Sequence, residues 1–182
     1  MKKLLIPFIL VAAVLFQSCK GPQGEPGLDG LDGDLLIGQT YEVKNVNFTA
    51  PNYEFVQTYT AAKLVTVQPS DAVLVYILWD VTSNNNPIWR LLPQAIDMPR
   101  GVVYNFDYTP ADFSVFIEAP SNVNKATLTS DFTQNQTLRV VVIPSDFTGA
   151  RKSGPAVDVN NYEAVKQYYH LDESKIPAVV AN

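Results

Sequence analysis

The sequence predicts an all-β protein: an antiparallel β-sandwich of about seven or eight strands with one short C-terminal helix. Segments rich in β-branched and aromatic residues recur between residues 40 and 144. Turn sequences such as "SNNNP" (83–87) separate these segments at short intervals. Because no helical pattern lies between the segments, strands follow strands, which favours a sandwich over an α/β fold. A β-barrel is the alternative that fits the same pattern.

The first two predicted strands lie in "TYEVKNVNF" (40–48) and "YEFVQTYTA" (53–61). In the first strand, the apolar positions alternate through Tyr41 and Val43 and then shift to Val46, which indicates a β-bulge. The second strand is rich in residues that favour extended backbone.

The third predicted strand, "AVLVYILWDV" (72–81), is apolar on both faces and is therefore expected at the centre of a sheet that is covered on both sides. After the "SNNNP" turn, "IWRLLPQAI" (88–96) predicts one return strand, with Pro93 near a bulge or a sheet edge.

Three further strands are predicted at 102–109, 112–119 and 137–144. The first alternates most clearly, and its apolar side predicts a half-buried antiparallel strand. The last is apolar on both sides. The residues expected to face inward in the first two of these strands are Val102, Tyr104, Phe106 and Tyr108, and then Phe113, Val115 and Ile117.

The hydrophobic period changes in "NNYEAVKQYYHL" near the C-terminus. Tyr162, Val165 and Tyr169 follow helical spacing, and Asn160 or Asn161 can cap the first turn. This segment predicts one short amphipathic helix that packs on the sandwich or near its edge.

The N-terminus has the features of an export signal. Lys2 and Lys3 precede an apolar stretch of 13 residues (4–16), which is too short for a comfortable membrane-spanning helix. The stretch ends at "LFQSC", which resembles a bacterial lipobox, so Cys19 is the predicted site of lipid attachment. Cys19 is the only cysteine and cannot form an internal disulfide.

Directly after Cys19, glycine occupies every third position from Gly21 to Gly33, which is a collagen-like pattern. Two interpretations are open. Three chains can form a short triple-helical stalk, which would make the protein a homotrimer through Gly21–Gly33. Alternatively, the run is an extended spacer on a monomer. The spacer is favoured because four triplets with only two prolines are short for a triple helix.

The chain therefore divides into four predicted parts. These are a lipoprotein signal peptide (1–18), a lipidated cysteine with a collagen-like linker (19–37), a β-sandwich domain (38–150) and a C-terminal extension that contains the short helix (151–182).

The sequence resembles a group of Bacteroidota-type lipoproteins in which a short collagen-like run precedes a β-rich domain of unknown function. The resemblance rests on Cys19, the Gly21–Gly33 run, "WRLLPQAI", "DFTQNQTLRVVVIPSDF" (131–147) and "VDVNNYEAVKQYYHL". It implies a lipid-anchored protein of the bacterial cell envelope, at the outer membrane, whose partner is that membrane. It implies no particular activity.

The sequence contains no pattern that indicates catalysis or a cofactor. It lacks a G-x-S-x-G elbow, a dinucleotide-binding glycine motif and a C-x-x-C pair. His170 is the only histidine and has no ligand-like neighbours in sequence, so neither a metal site nor a catalytic residue is predicted. The net charge of −5 disfavours nucleic acid as a partner.

Two hypotheses for the function follow, and neither is enzymatic. The first is an envelope lipoprotein with a structural or adhesion role. The second is a β-sandwich module that binds a glycan or another small ligand through exposed aromatic rings, with Trp89 and Tyr59 as the candidate stacking residues. A glycan or a protein would be the partner in either case.

Overall fold

The computed structural model describes residues 38–62, 65–145 and 157–181. All of these belong to one compact unit, Asp34–Asn182. The described part of the chain contains nine strands in two sheets, so the predicted all-β sandwich is confirmed. The strands are β1 (Gln39–Val46), β2 (Glu54–Thr58), β3 (Ala72–Val81), β4 (Pro87–Leu91), β5 (Gln94–Asp97), β6 (Val102–Tyr108), β7 (Asp112–Glu118), β8 (Gln136–Ile143) and β9 (Ala178–Val180).

The larger sheet has the strand order β4-β3-β8-β1-β9, and the smaller sheet has the order β2-β7-β6-β5. Neighbouring strands pair antiparallel except for β1 and β9, which are parallel. The strands β3, β8 and β1 lie inside the larger sheet, as the apolar character of β3 on both faces predicts.

The core lies between the two sheets. Alternate residues of β1, β3 and β8 meet alternate residues of β6 and β7, because successive side chains of a strand point to opposite faces. Fully burying one of these aliphatic or aromatic side chains stabilises the fold by about 2 kcal/mol. Members that are at most 1% exposed include Tyr41, Val43, Val75, Ile77, Tyr104, Phe113, Val115, Ile117, Leu138 and Val140.

The predicted bulge in β1 is present. The pairing of β1 with β8 shifts between Val43 and Val46, and Asn45 has a φ of 60°. Asparagine tolerates this left-handed conformation better than most residues. The bulge returns Val46 and Phe48 to the buried side, since both are at most 1% exposed.

The prediction of a single return strand over 88–96 is wrong. The segment forms two strands in different sheets, β4 in the larger sheet and β5 in the smaller one. The last bond to the larger sheet runs from the Leu92 N–H to the Val75 carbonyl, at 2.9 Å. Pro93 has no N–H with which to continue the ladder, and the chain crosses the core there.

Six short helical segments complete the described part of the chain. Three are α-helices: α1 (Tyr59–Ala62), α2 (Ser130–Thr133) and α3 (Tyr162–Tyr168). The others are 3-10 turns at Met98–Arg100, Lys125–Thr127 and Glu173–Lys175. None of the helices in the described part of the chain is long and apolar enough to cross a membrane.

The predicted C-terminal helix is α3, which covers the outer face of the larger sheet. Tyr162, Val165 and Tyr169 pack against Tyr76 and Val141 of that face. Asn161 caps the helix by accepting a hydrogen bond from the Ala164 N–H at 3.2 Å.

The helix α3 ends in a Schellman-type turn. His170 has a φ of 51°, and the Leu171 N–H donates to the Lys166 carbonyl at 3.0 Å. The lone histidine therefore terminates a helix. After this turn the chain reaches β9, a strand that the sequence pattern did not predict.

Candidate functional site

An open cleft of about 440 Å³ lies on the outer face of the smaller sheet. We call it the Phe116 cleft, since Phe116 of β7 supplies the aromatic ring of its lining. Because Val115 and Ile117 point into the core, Phe116 points to the opposite face, where it is half-buried. The polar side chains that line the cleft are Asn52, Glu54, Asp107, Glu118 and Lys125.

Strand register places hydrogen-bonding side chains on both sides of the Phe116 ring. Glu54 of β2 pairs directly with Phe116 on one side, and Asn105 of β6 pairs with it on the other. Directly paired residues have Cβ atoms about 5 Å apart. The Asn105 side chain also donates from Nδ2 to Glu118 Oε2 at 3.0 Å, which holds the amide and the carboxylate beside each other.

Lys125 is fixed at the rim of the cleft. Its Nζ donates to the carbonyls of Asn52 and Ile117, each at 3.1 Å. The same Nζ lies 5.0 Å from the centre of the Tyr53 ring, which is within the range of a cation–π interaction. An ammonium group has three donor hydrogens, so one remains for a further acceptor.

The loop between β1 and β2 carries Tyr53 in a strained conformation. Tyr53 has a φ of 57°, in the left-handed region that bulky residues rarely occupy. Three backbone hydrogen bonds hold the loop in place. They run from the Tyr53 N–H to the Thr49 carbonyl, from the Ile117 N–H to the Tyr53 carbonyl, and from the Phe48 N–H to the Thr133 carbonyl. Strain of this kind persists only where the surrounding contacts enforce it.

A second, smaller cavity of about 220 Å³ lies on the other side of Lys125. It is lined by the same β1–β2 loop, including Thr49 and Tyr53, and by the segment before β8, including Leu128 and Thr133. Lys125 thus separates two concave regions at the end of the sandwich where β1 stops and β2 begins.

The Phe116 cleft carries charges that no other described residue neutralises. Glu54, Asp107 and Glu118 form no ion pair with any residue in the described ranges. Lys125 is held by carbonyl oxygens instead of by a carboxylate. The cleft therefore offers carboxylate acceptors and one ammonium donor to whatever enters it.

Trp89, one of the two candidate stacking residues, lies on the outer face of the larger sheet. Its ring is half-buried, and the Arg139 guanidinium lies 4.1 Å from the ring centre. The Tyr162 ring of α3 is 6.3 Å away. Trp89 is therefore engaged with the Arg139 side chain and the C-terminal helix.

Arg139 is the most buried charge among the described residues, at 5% exposed. It donates to Glu42 Oε1 at 2.6 Å and to Glu173 Oε1 at 2.7 Å. Burial alone would lower the pKa of Arg139, but the hydrogen bond to Glu42 and the charges of Tyr162 and Glu42 raise it. Arg139 therefore stays charged and joins β1 and β8 to the C-terminal segment.

Tyr59, the other candidate stacking residue, is not open to solvent. It is 3% exposed and stacks on Phe113 within the core, with ring centres 6.1 Å apart. Burial raises the pKa of its hydroxyl above the ordinary value. Tyr59 and Trp89 also belong to different apolar clusters on opposite sides of the larger sheet, so the structure does not bring them together.

The predicted lipid-attachment residue, Cys19, and the Gly21–Gly33 run lie outside the described residues. Residues 38–62, 65–145 and 157–181 contain no group of three or more His, Cys, Asp or Glu side chains that could hold a metal ion.

Sequence reasoning did not identify the Phe116 cleft. The alternation of β7 contained one usable signal, since an aromatic residue stood on the side opposite to the predicted inward face. Nothing in the sequence marked Lys125, because it follows β7 in an irregular segment and reaches the cleft only through the fold.

Comparison with protein-family models, with curated proteins and with solved structures found no match for this chain.

Proposed function

We propose that this chain is a lipid-anchored protein of a bacterial cell envelope, at the outer membrane, whose sandwich has a non-enzymatic structural or adhesion role. The observation that carries the proposal is the position of Cys19. It ends a short apolar stretch that follows two lysines, and it precedes a glycine run that leads to the folded domain. Multiple acyl chains on one cysteine give stable membrane anchoring.

The way the domain begins supports this proposal. Eighteen residues (20–37) separate Cys19 from Gly38, and a chain of that length would span about 55 Å if it were extended as in polyproline. Gly38 is firmly held, since its N–H donates to the Tyr169 carbonyl at 2.9 Å. The linker thus joins a fixed point at the start of β1.

The Phe116 cleft lies at the opposite end of β1 from this junction. The eight residues of β1 separate Gly38 from the β1–β2 loop by about 25 Å. The end of the domain opposite to Gly38 therefore carries the β1–β2 loop and Lys125, together with the β3–β4 turn. This arrangement suits a domain that presents a surface at a distance from its anchor.

The anchoring can be tested with Cys19→Ser in a Bacteroidota host, using metabolic labelling with an alkyne analogue of palmitate and membrane fractionation. We expect labelled, membrane-bound protein from the parent chain. We expect unlabelled protein from Cys19→Ser, because only a thiol forms the thioether to the lipid. Ser18→Ala is the matched control, since it changes the neighbouring residue and keeps the thiol.

An unlabelled parent chain, or a Cys19→Ser variant that fractionates with the membrane like the parent, would refute the anchor. Separation of inner from outer membranes by density in the same experiment checks the expected outer-membrane location.

A further inference from the structure

We propose that the Phe116 cleft is a binding site for a neutral, hydroxyl-rich ligand of the carbohydrate class, stacked on the Phe116 ring between Glu54 and Asn105. The proposal deepens the structural or adhesion role proposed above, on which its biological setting rests. The site itself is argued from the geometry of the described residues.

The charges that line the cleft are of both signs and favour a ligand that can satisfy both. A cation would be attracted by the carboxylates of Glu54, Asp107 and Glu118, but it would be repelled by the ammonium group of Lys125 and could not accept its remaining hydrogen bond. An anion would pair with Lys125 and be repelled by the three carboxylates. A neutral ligand that both donates and accepts hydrogen bonds can pair with the carboxylates and with Lys125 at once.

The hydrogen-bonding groups select for hydroxyls. Carboxylates only accept hydrogen bonds, an ammonium group only donates them, and an asparagine amide does both. A hydroxyl group both donates and accepts, so several hydroxyls on one ring can satisfy all three kinds of partner in the cleft. Two groups are best placed to bind such hydroxyls. One is the remaining donor hydrogen of Lys125, and the other is the carboxylate of Glu54, which makes no hydrogen bond within the described ranges.

Phe116 supplies the apolar part of the site. Its half-buried ring is flanked on the sheet by Glu54 and Asn105. The face of an aromatic ring is electronegative and attracts C–H groups, which the apolar face of a sugar ring presents. The volume of about 440 Å³ lies in the range of small-molecule sites. An aromatic base with polar groups around it fixes both the position and the orientation of such a ring.

The site is pre-formed by its surroundings. The strained Tyr53 and the hydrogen bonds of its loop fix Asn52, whose carbonyl holds Lys125. The hydrogen bond from Asn105 fixes the carboxylate of Glu118, which lines the cleft. A site whose groups are already ordered loses less entropy on binding, which favours the modest interactions that sugars make.

The test uses the full chain, purified in a zwitterionic detergent without a sugar headgroup and labelled with a fluorophore. It is applied to an array of neutral and sulfated oligosaccharides, with spermine and heparin fragments titrated separately as the cationic and anionic probes. We expect binding to neutral oligosaccharides, and weak or no binding of spermine and heparin fragments.

For the neutral oligosaccharide that binds best, Phe116→Ala should weaken binding by about tenfold or more, as truncation of a central aromatic contact does. Glu54→Gln is the second variant, since it keeps the size of an exposed side chain and should weaken binding several-fold. Val56→Thr is the matched control. It lies on the same face of β2, is 56% exposed, lies outside the cleft and should leave affinity unchanged.

Three outcomes would overturn the proposal. A folded chain could bind none of the neutral glycans, or it could prefer spermine or heparin fragments. It could also bind a neutral glycan with an affinity that both Phe116→Ala and Glu54→Gln leave unchanged. Thermal unfolding of each variant confirms that it is folded. Because the binding assay does not depend on the lipid, a failure here is distinct from a failure of the Cys19 anchor, which labelling and fractionation report.

Discussion

Arg139 connects three parts of the chain that are distant in sequence. The β8 strand carries it opposite Glu42 of β1, and its guanidinium also reaches Glu173 near the C-terminus. The rings of Trp89 and Tyr162 cover it at 4.1 and 4.8 Å. Removing one partner of a buried charge leaves the other unpaired, which is costly. The contacts of Arg139 therefore hold the C-terminal segment on the larger sheet.

Glu173 makes the strength of this arrangement depend on pH. Burial alone would raise the pKa of Glu173, but hydrogen bonds and charges from Lys166 and Arg139 lower it below the ordinary value. A carboxylate whose pKa is lower in the folded state stabilises the fold at neutral pH. That contribution is lost as the pH falls from about 5 through the pKa of the folded state.

We expect Glu173→Gln to lower the free energy of unfolding by about 1 kcal/mol at pH 7, a modest loss because the Glu173 side chain is 36% exposed and solvent screens its charge. The loss should be smaller at pH 3, because the contribution of the lowered pKa of Glu173 declines as the pH falls below its ordinary value. Urea unfolding of the full chain at both pH values measures this. The matched control is Glu163→Gln, because Glu163 also pairs with Lys166 but its side chain is 62% exposed. This control should change the free energy of unfolding by no more than about 0.5 kcal/mol. An equal loss for Glu173→Gln at both pH values would contradict this account.

At the scale of elements, β1 meets the end of α3 at Gly38, which makes the tighter contact of the two glycines in the described part of the chain. A Cβ atom placed on Gly38 would lie 2.7 Å from Leu171 Cδ2 and 3.1 Å from Tyr169 Cβ. Both neighbours are buried. Only glycine lets the residue before β1 approach the helix end this closely.

We therefore expect Gly38→Ala to destabilise the fold by about 1–3 kcal/mol through overpacking. The double variant Gly38→Ala/Leu171→Ala should lose less than the sum of the two single variants, because the shorter side chain makes room for the new methyl group. Urea unfolding of all four chains gives the coupling. Strict additivity would show that the two positions do not press on each other.

At the scale of the whole molecule, the question is whether the chain assembles through its glycine run. The spacer interpretation predicts a monomer, since four collagen triplets offer too little length for a stable triple helix. The stalk interpretation predicts a trimer that depends on the glycines.

We expect the full chain in density-matched detergent to sediment with the mass of one chain, and Gly24→Ala/Gly27→Ala to leave that mass unchanged. Sedimentation equilibrium measures both. A trimer in the parent chain that dissociates in the glycine variant would instead establish the stalk.

Much of the sandwich is determined by local pattern. The alternation in β6 and β7, the apolar character of β3 on both faces and the helical spacing from Tyr162 to Tyr169 all correspond to elements of the structure. These predictions succeed because side-chain periodicity reports directly which face of a strand or helix is buried. The bulge in β1 was visible for the same reason.

The tertiary structure alone decided the features that depend on contacts between distant segments. The crossing from β4 to β5 and the pairing of β9 with β1 follow from how two sheets close around one core. Tyr59 is a core residue because its ring stacks on Phe113. Phe116 lines a cleft because the fold brings Lys125 and the β1–β2 loop to the same face of the sheet. The sequence by itself determined most of the strands and which side of them is apolar. The fold decided which polar groups meet, because sequence periodicity carries no information about partners far apart in the chain.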